Sequence, residues 1–210
     1  ATAQQWVDTR PVASPFAVVE AAWAAAFGGD LWVNLGASLQ RNLSGFARGG
    51  GIGLLLGGWL GLSRLADGLV GPTFHTIKQI ALFAWIPLIS VWFGFGEPAK
   101  VAFISLAVFY PVALNSFEGI RSTRQELYEV SRVLGLNPLQ RLFRLVLPSA
   151  APAIFTGLHL GLIYAWLATI GAEYFFSAAP AIGNTMIDGR EHFVMDQVIY
   201  GGIVVGGVGL

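Results

Sequence analysis

Cysteine is absent from this chain, which excludes disulfides and thiolate metal sites at once. Charge is scarce too: 11% of residues are Asp, Glu, Lys or Arg, against roughly 25% in an ordinary soluble domain. The formal net charge is zero, so no global field argues for nucleic acid. No His, Asp and Glu residues fall at metal-ligand spacing, and no nucleophile–base arrangement of a catalytic kind is present. A G-x-x-x-x-G-K-S/T phosphate loop is missing as well, because neither Lys78 nor Lys100 has the required glycines before it. The expectation is a chain without catalytic residues, metal or cofactor of its own. The first fifteen residues have neither a basic n-region nor an apolar h-region and do not read as a signal peptide.

What is present is apolar. Hydrophobic residues reach 55%, Gly numbers 27 and Trp numbers 7. Glycine is commoner in transmembrane helices than in soluble ones, because it lets helix backbones approach closely. The fold class that follows is all-α, a polytopic membrane protein. Spans are expected at about 43–62, 74–95 with an interruption at Pro87, 98–117 and 150–176. A short amphipathic helix is expected over 14–29, with Ser14 as N-cap, Pro15 in the first turn and Gly28-Gly29 as its stop. Residues 63–71 and 94–97 read as loops, 182–193 as a short segment, and 198–210 as an apolar run too short for a bilayer core of about 30 Å. The expectation is therefore a chain cut or disordered at Leu210, with a cut before Ala1 also expected. Gly45, Gly49, Gly53, Gly57 and Gly61 recur every four residues, a small-residue stripe against which another helix should pack.

One polar interruption stands out. Residues 121–148 carry five of the twelve Lys and Arg residues: Arg121, Arg124, Arg132, Arg141 and Arg144. By the positive-inside rule this loop faces the cytoplasm, with 63–71 on the same side and 94–97 and 177–196 on the other. Within it, 125–134 should form a helix stopped by Gly135 as a C′ residue. Asn137-Pro138 should start a second helix with Leu139, Leu142, Phe143 and Val146 on one face. Composition alone leaves two readings of this knob: a docking surface, or a membrane-surface loop whose charge only sets topology.

The spacing carries a resemblance. Glu129-Val130-Ser131, three residues, Gly135, nine residues, then Leu145-Val146-Leu147-Pro148 is similar to the EAA motif of ABC importer permeases. Glu, Gly, Leu and Pro match in register, whereas Val130, Ser131 and Leu145 depart from the family's Ala, Ala and Ile. Ser38-Leu39-Gln40-Arg41, Gly45-Phe46, Ile86-Pro87-Leu88, Trp92-Phe93-Gly94, Gly96-Glu97 and Lys100 extend it toward the aliphatic sulfonate, taurine and nitrate permease group. So do Ala151-Pro152, Gly157-Leu158, Ala172-Glu173, Asp188, Arg190-Glu191 and Phe193.

This resemblance implies a type I importer transmembrane domain in the bacterial inner membrane, with five to six spans, the first missing and the last truncated. It implies a single permease domain over 1–210 whose coupling loop, 121–148, docks on a cytoplasmic ATPase. The residues it assigns to ATPase coupling are Glu129, Val130, Ser131, Arg132, Gly135, Leu145, Leu147 and Pro148. Partners would be two ATP-binding subunits holding ATP and magnesium, a second permease copy and an extracytoplasmic binding protein. The implied cargo is a small organic oxyanion, an aliphatic sulfonate or taurine, with nitrate, bicarbonate, a thiamine precursor or an aromatic acid as alternatives. An ion-coupled secondary transporter is the rival, but the internal inverted repeats it would need are not found.

Buried polar and aromatic residues supply pathway candidates: Lys78, Trp85, His159, Trp166 and Glu173. Each has a plainer reading beside it. Lys78 lies within two turns of the expected span start and could snorkel to the interface. Glu173 would repel an anion and suits helix packing or a gate hydrogen bond better. His159 and Trp166 share a face with it and read equally as packing residues, and Trp85 as a core or lipid-facing one. His75, Phe83 and Trp92 are left in the same position.

Overall fold

The computed structural model describes residues 30–176 and 195–209, together with Phe16, Trp23 and Gly183. Apart from those three residues, the helix expected over 14–29, the segment 182–193 and residues 177–194 of the loop expected over 177–196 lie outside the described residues, while 195–196 belong to the last helix. Asp188, Arg190, Glu191 and Phe193 also lie outside the described residues. The described residues are helical with no strand. They form α1 (Asp30–Leu62), α2 (Arg64–Ile77), a 3₁₀ turn (Leu82–Trp85), α3 (Ile86–Phe93), α4 (Glu97–Arg121), α5 (Gln125–Val133), α6 (Pro138–Arg141), a π turn (Leu142–Val146), α7 (Leu147–Phe175) and α8 (Met195–Val208).

Glycine decides how α1 packs. A Cβ placed on Gly53 would lie 2.9 Å from the Phe109 carbonyl oxygen, and one on Gly61 the same distance from Ile120 Cβ. Gly45, Gly49 and Gly57 meet Ile104, Ser105 and Ala113 in the same way, so the whole stripe seats α1 against α4 in parallel. α7 packs antiparallel on the other side, with Gly157 at Asn115 and Gly161 at Val108 and Val112. Between them lies an apolar core of Phe103, Ile104, Val108, Val112, Ala165, Ala172 and Phe176. Close backbone approach replaces the missing hydrophobic drive between helices in lipid.

By length and composition, α4 and the continuous helix Pro138–Phe175 can cross a membrane, and α2 with Leu82–Phe93 makes a third if that bent pair counts as one span. α1 is longer than α4, but its glycines, Arg41 and Arg48 hold down its hydropathy.

Three expectations are corrected. The helix that carries the first expected span does not start near residue 43; it runs unbroken from Asp30. Residues 63–71 are not a loop: Ser63 caps α2 by accepting from the Ala66 amide at 3.2 Å, and the helix starts there. The second span is broken by 96° at 78–81 rather than kinked at Pro87, which instead sits in the first turn of α3 where its missing N–H is harmless.

Candidate functional site

The polar loop is an ordered knob. α5 ends in a Schellman arrangement: the Leu136 amide donates to the Ser131 carbonyl and the Gly135 amide to the Arg132 carbonyl, both at 3.0 Å. Gly135 takes φ +66°, the left-handed conformation that this ending demands. Asn137 and Gln140 then form a reciprocal capping box that starts α6, with Pro138 behind the cap. Pro148 has no amide to give Arg144, and the Leu147 amide reaches back to Leu142 instead. This produces the π turn that carries α6 into α7 without a break.

The EAA residues divide by exposure. Glu129, Val130, Arg132 and Pro148 are exposed, whereas Ser131 is buried and donates to the Tyr128 carbonyl at 2.7 Å. Leu145 and Leu147 are half-buried, Leu145 against the Ile120, Val146 and Ala150 cluster that roots the knob on α4 and α7. Outward, the knob shows apolar side chains: Val133 is 88% exposed, Leu134 68%, Leu139 67% and Phe143 60%. Four such residues around two exposed Arg side chains, Arg132 and Arg144, make an amphipathic surface suited to a protein groove.

The opposite end of the bundle holds a buried charge cluster. Glu173 on α7 is fully buried; it accepts from Ser38 Oγ, from Arg41 Nη1 at 3.1 Å and from the Gly183 amide at 3.0 Å. Arg41 also binds Glu97 at 2.5 Å, and Lys100, itself fully buried, reaches Glu97 at 3.4 Å. Two cations and two carboxylates thus balance where α1, α4 and α7 meet. Beside them Asn42 Nδ2 donates to Thr169 Oγ1 at 3.1 Å. Of these residues only Glu173 was singled out for a role from sequence. The available signal for Arg41, Glu97 and Lys100 was that lone charges near span ends need partners.

A cleft of about 630 Å³ opens between the 78–83 break, α4 and α7. It lies level with the middle of α4, at Ala107, Tyr110, Pro111 and Leu114, and the middle of α7, at Leu160, Tyr164, Leu167 and Ala168. Lys78 lines it. That residue stands level with Tyr110 and Leu114 near the middle of α4 rather than with either end of that helix.

The five pathway candidates therefore do not converge. Lys78 lines the cleft, and Glu173 belongs to the charge cluster. Trp166 donates from Nε1 to the Val205 carbonyl at 3.1 Å, packing α7 on α8. Trp85 packs half-buried against the core, and its Nε1 has no acceptor among the described residues. His159 is exposed on α7. No group of three metal-ligating side chains occurs among the described residues.

The family model for the binding-protein-dependent transport system inner membrane component matches residues 49–210. The chain is 35% identical over 194 residues to the putative aliphatic sulfonates transport permease protein of Escherichia coli, covering 92% of this chain and 73% of that one. It is 35% identical over 182 residues to the bicarbonate transport system permease protein of Synechococcus elongatus, covering 87% and 65%. It is 33% identical over 175 residues to the taurine transport system permease protein of Escherichia coli, covering 83% and 63%. The chain belongs to the family of inner membrane components of binding-protein-dependent transport systems, the membrane-embedded permeases of ABC importers.

Proposed function

We propose that this chain forms one permease domain that moves a small organic oxyanion, an aliphatic sulfonate or taurine, into the cytoplasm by alternating access. A separate ATPase, holding ATP and magnesium, docks on the coupling loop 121–148 and drives the exchange between inward- and outward-open states. Two permease copies, two ATPase subunits and an extracytoplasmic binding protein complete the importer. The observation that carries this reading is the ordered knob itself. Glu129 and Gly135 stand in motif register on a capped helix pair whose apolar side chains are turned outward. A loop needed only for topology has no reason to expose Val133 and Leu134. Within the knob, Glu129, Val130, Arg132 and Gly135 present the docking face, and Ser131, Leu145, Leu147 and Pro148 hold its frame.

Sulfonate and taurine are favoured by the names of the relatives above. Bicarbonate stands beside them, because a permease so named is as similar in identity.

Co-expression of the chain with an ATPase subunit, followed by co-purification and uptake of labelled taurine and butanesulfonate, tests the proposal. Glu129→Lys and Gly135→Trp are expected to release the ATPase and abolish uptake while the permease elutes as a folded species. Normal docking and uptake in both variants would reject the coupling role.

A further inference from the structure

Lys78 is a half-buried cation that lines the cleft between the 78–81 break, α4 and α7. No carboxylate lies within ion-pairing distance of its ammonium among the described residues, and none lines the cleft it enters. A cation within a membrane-embedded bundle is costly to desolvate, so such residues face protein or water and mark pathways. The backbone points the same way. The chain breaks at 78–81, and non-helical backbone at this depth is tolerated only where protein or a water-filled cavity meets it.

The remaining walls are mostly apolar and aromatic, with Phe83, Leu114, Leu160 and Leu167, and include Tyr110, Tyr164 and Asn115. One cation, no carboxylate and a mostly apolar wall fit a single negative headgroup attached to a short hydrocarbon. We propose that this cleft is a transmembrane binding site for a monovalent oxyanion with a short apolar tail, its head held by Lys78 and its tail by the apolar wall. The inference rests on the importer reading above and adds that the permease itself, not only a binding protein, discriminates cargo. A volume of about 630 Å³ is several times what such a molecule fills, so water accompanies it. Occupancy is accordingly weak, as a transit site requires.

The test measures binding of labelled butanesulfonate, with ethanesulfonate and nitrate as competitors, to the permease–ATPase complex in nanodiscs. Affinity should rise about fourfold per methylene, and nitrate, which has the charge without the tail, should compete least. Lys78→Gln should weaken butanesulfonate binding at least tenfold, and Lys78→Arg should hold it within about threefold. Leu160→Gln leaves the charge in place and should flatten the chain-length series, so it carries the test even if Lys78→Gln does not assemble. Unchanged binding in Lys78→Gln, or a flat series in the parent protein, overturns the proposal. The importer reading fails separately, through Glu129→Lys: if that variant transports normally the coupling role falls, whatever the cleft does.

Discussion

Arg41 and Glu173 stand 132 positions apart and meet at 3.1 Å with both side chains buried. Arg41 bridges further to Glu97, so one guanidinium ties α1 to the end of α7 and the start of α4. The cluster closes the end of the bundle opposite the knob. The knob is thus joined to it by three packed helices and by little else among the described elements.

The two members of this pair are not equivalent. Removing Glu173 leaves Arg41 its contact with Glu97, whereas removing Arg41 leaves a fully buried carboxylate with only the Ser38 and Gly183 donors among the contacts described. Breaking a buried pair by deleting one partner costs about 3–5 kcal/mol. Arg41→Leu is expected at that level, and Glu173→Gln, which keeps a hydrogen-bonding amide, well below it. Thermal unfolding in detergent would measure both; equal losses, or none for Arg41→Leu, would show that the pair does not hold the helices.

The glycine stripe makes a sharper contrast, because α1 contains its own control. Gly53→Ala forces a Cβ against the Phe109 carbonyl, a backbone atom that cannot rotate away. Overpacking of this kind costs about 1–3 kcal/mol. Gly51 has nothing within 4 Å of its would-be Cβ, and Gly51→Ala should gain about 0.5–1 kcal/mol from helix propensity alone. Opposite shifts in melting temperature are therefore expected from the same substitution two residues apart.

That stripe also shows what was readable in the sequence. A four-residue glycine repeat favours close helix packing in lipid over a merely kink-prone span, and α1 against α4 is its realisation. Gly135 and Asn137-Pro138 were equally legible, because a left-handed C′ and a capping box are local chemistry. The break at 78–81 was not. Lys78-Gln79-Ile80-Ala81 contains no proline and no glycine, while Pro72, inside α2, and Pro87, at the start of α3, mislead in opposite directions. Tertiary packing of Phe74 on Phe109 and of Phe83 on Phe103 fixes where the chain turns, and pairwise contacts of that range leave no local mark. The charge cluster was hidden for the same reason: Arg41, Glu97 and Glu173 are each visible as odd charges, but nothing in spacing joins them.

At Gly135 the left-handed backbone is the quantity to perturb. Gly135→Ala adds a Cβ that meets no neighbour, so its cost is conformational only, about 1–2 kcal/mol. Gly135→Asn should cost less, because Asn visits this conformation readily. If docking requires the ordered ending of α5, ATPase affinity falls about 5–30-fold in the Ala variant, the factor corresponding to that energy. Amide exchange at Leu136 quickens in parallel. A loss of affinity in the Asn variant as large as in the Ala variant would mean that the side chain itself, not the backbone, obstructs docking.

Sidedness can be tested without removing anything, because the chain has no cysteine. Asp67 and Arg121 pair at 2.5 Å, which places the start of α2 at the same end as the knob, and Gly94 turns the chain at the other end. Single substitutions Leu65→Cys, Ser122→Cys and Phe95→Cys all replace exposed side chains. By the positive-inside rule, the five arginines of 121–148 lead to the expectation that this loop faces the cytoplasm. A membrane-impermeant maleimide applied to intact cells should therefore label position 95 alone. After permeabilisation it should label positions 65 and 122 as well. The Asp67–Arg121 pair is partly exposed and is worth about 0–1 kcal/mol, so Arg121→Gln should leave this pattern unchanged. Labelling of position 122 from outside would invert the orientation and remove the knob from any cytoplasmic ATPase. Labelling that separates 65 from 122 would contradict the packing of α2 on α4.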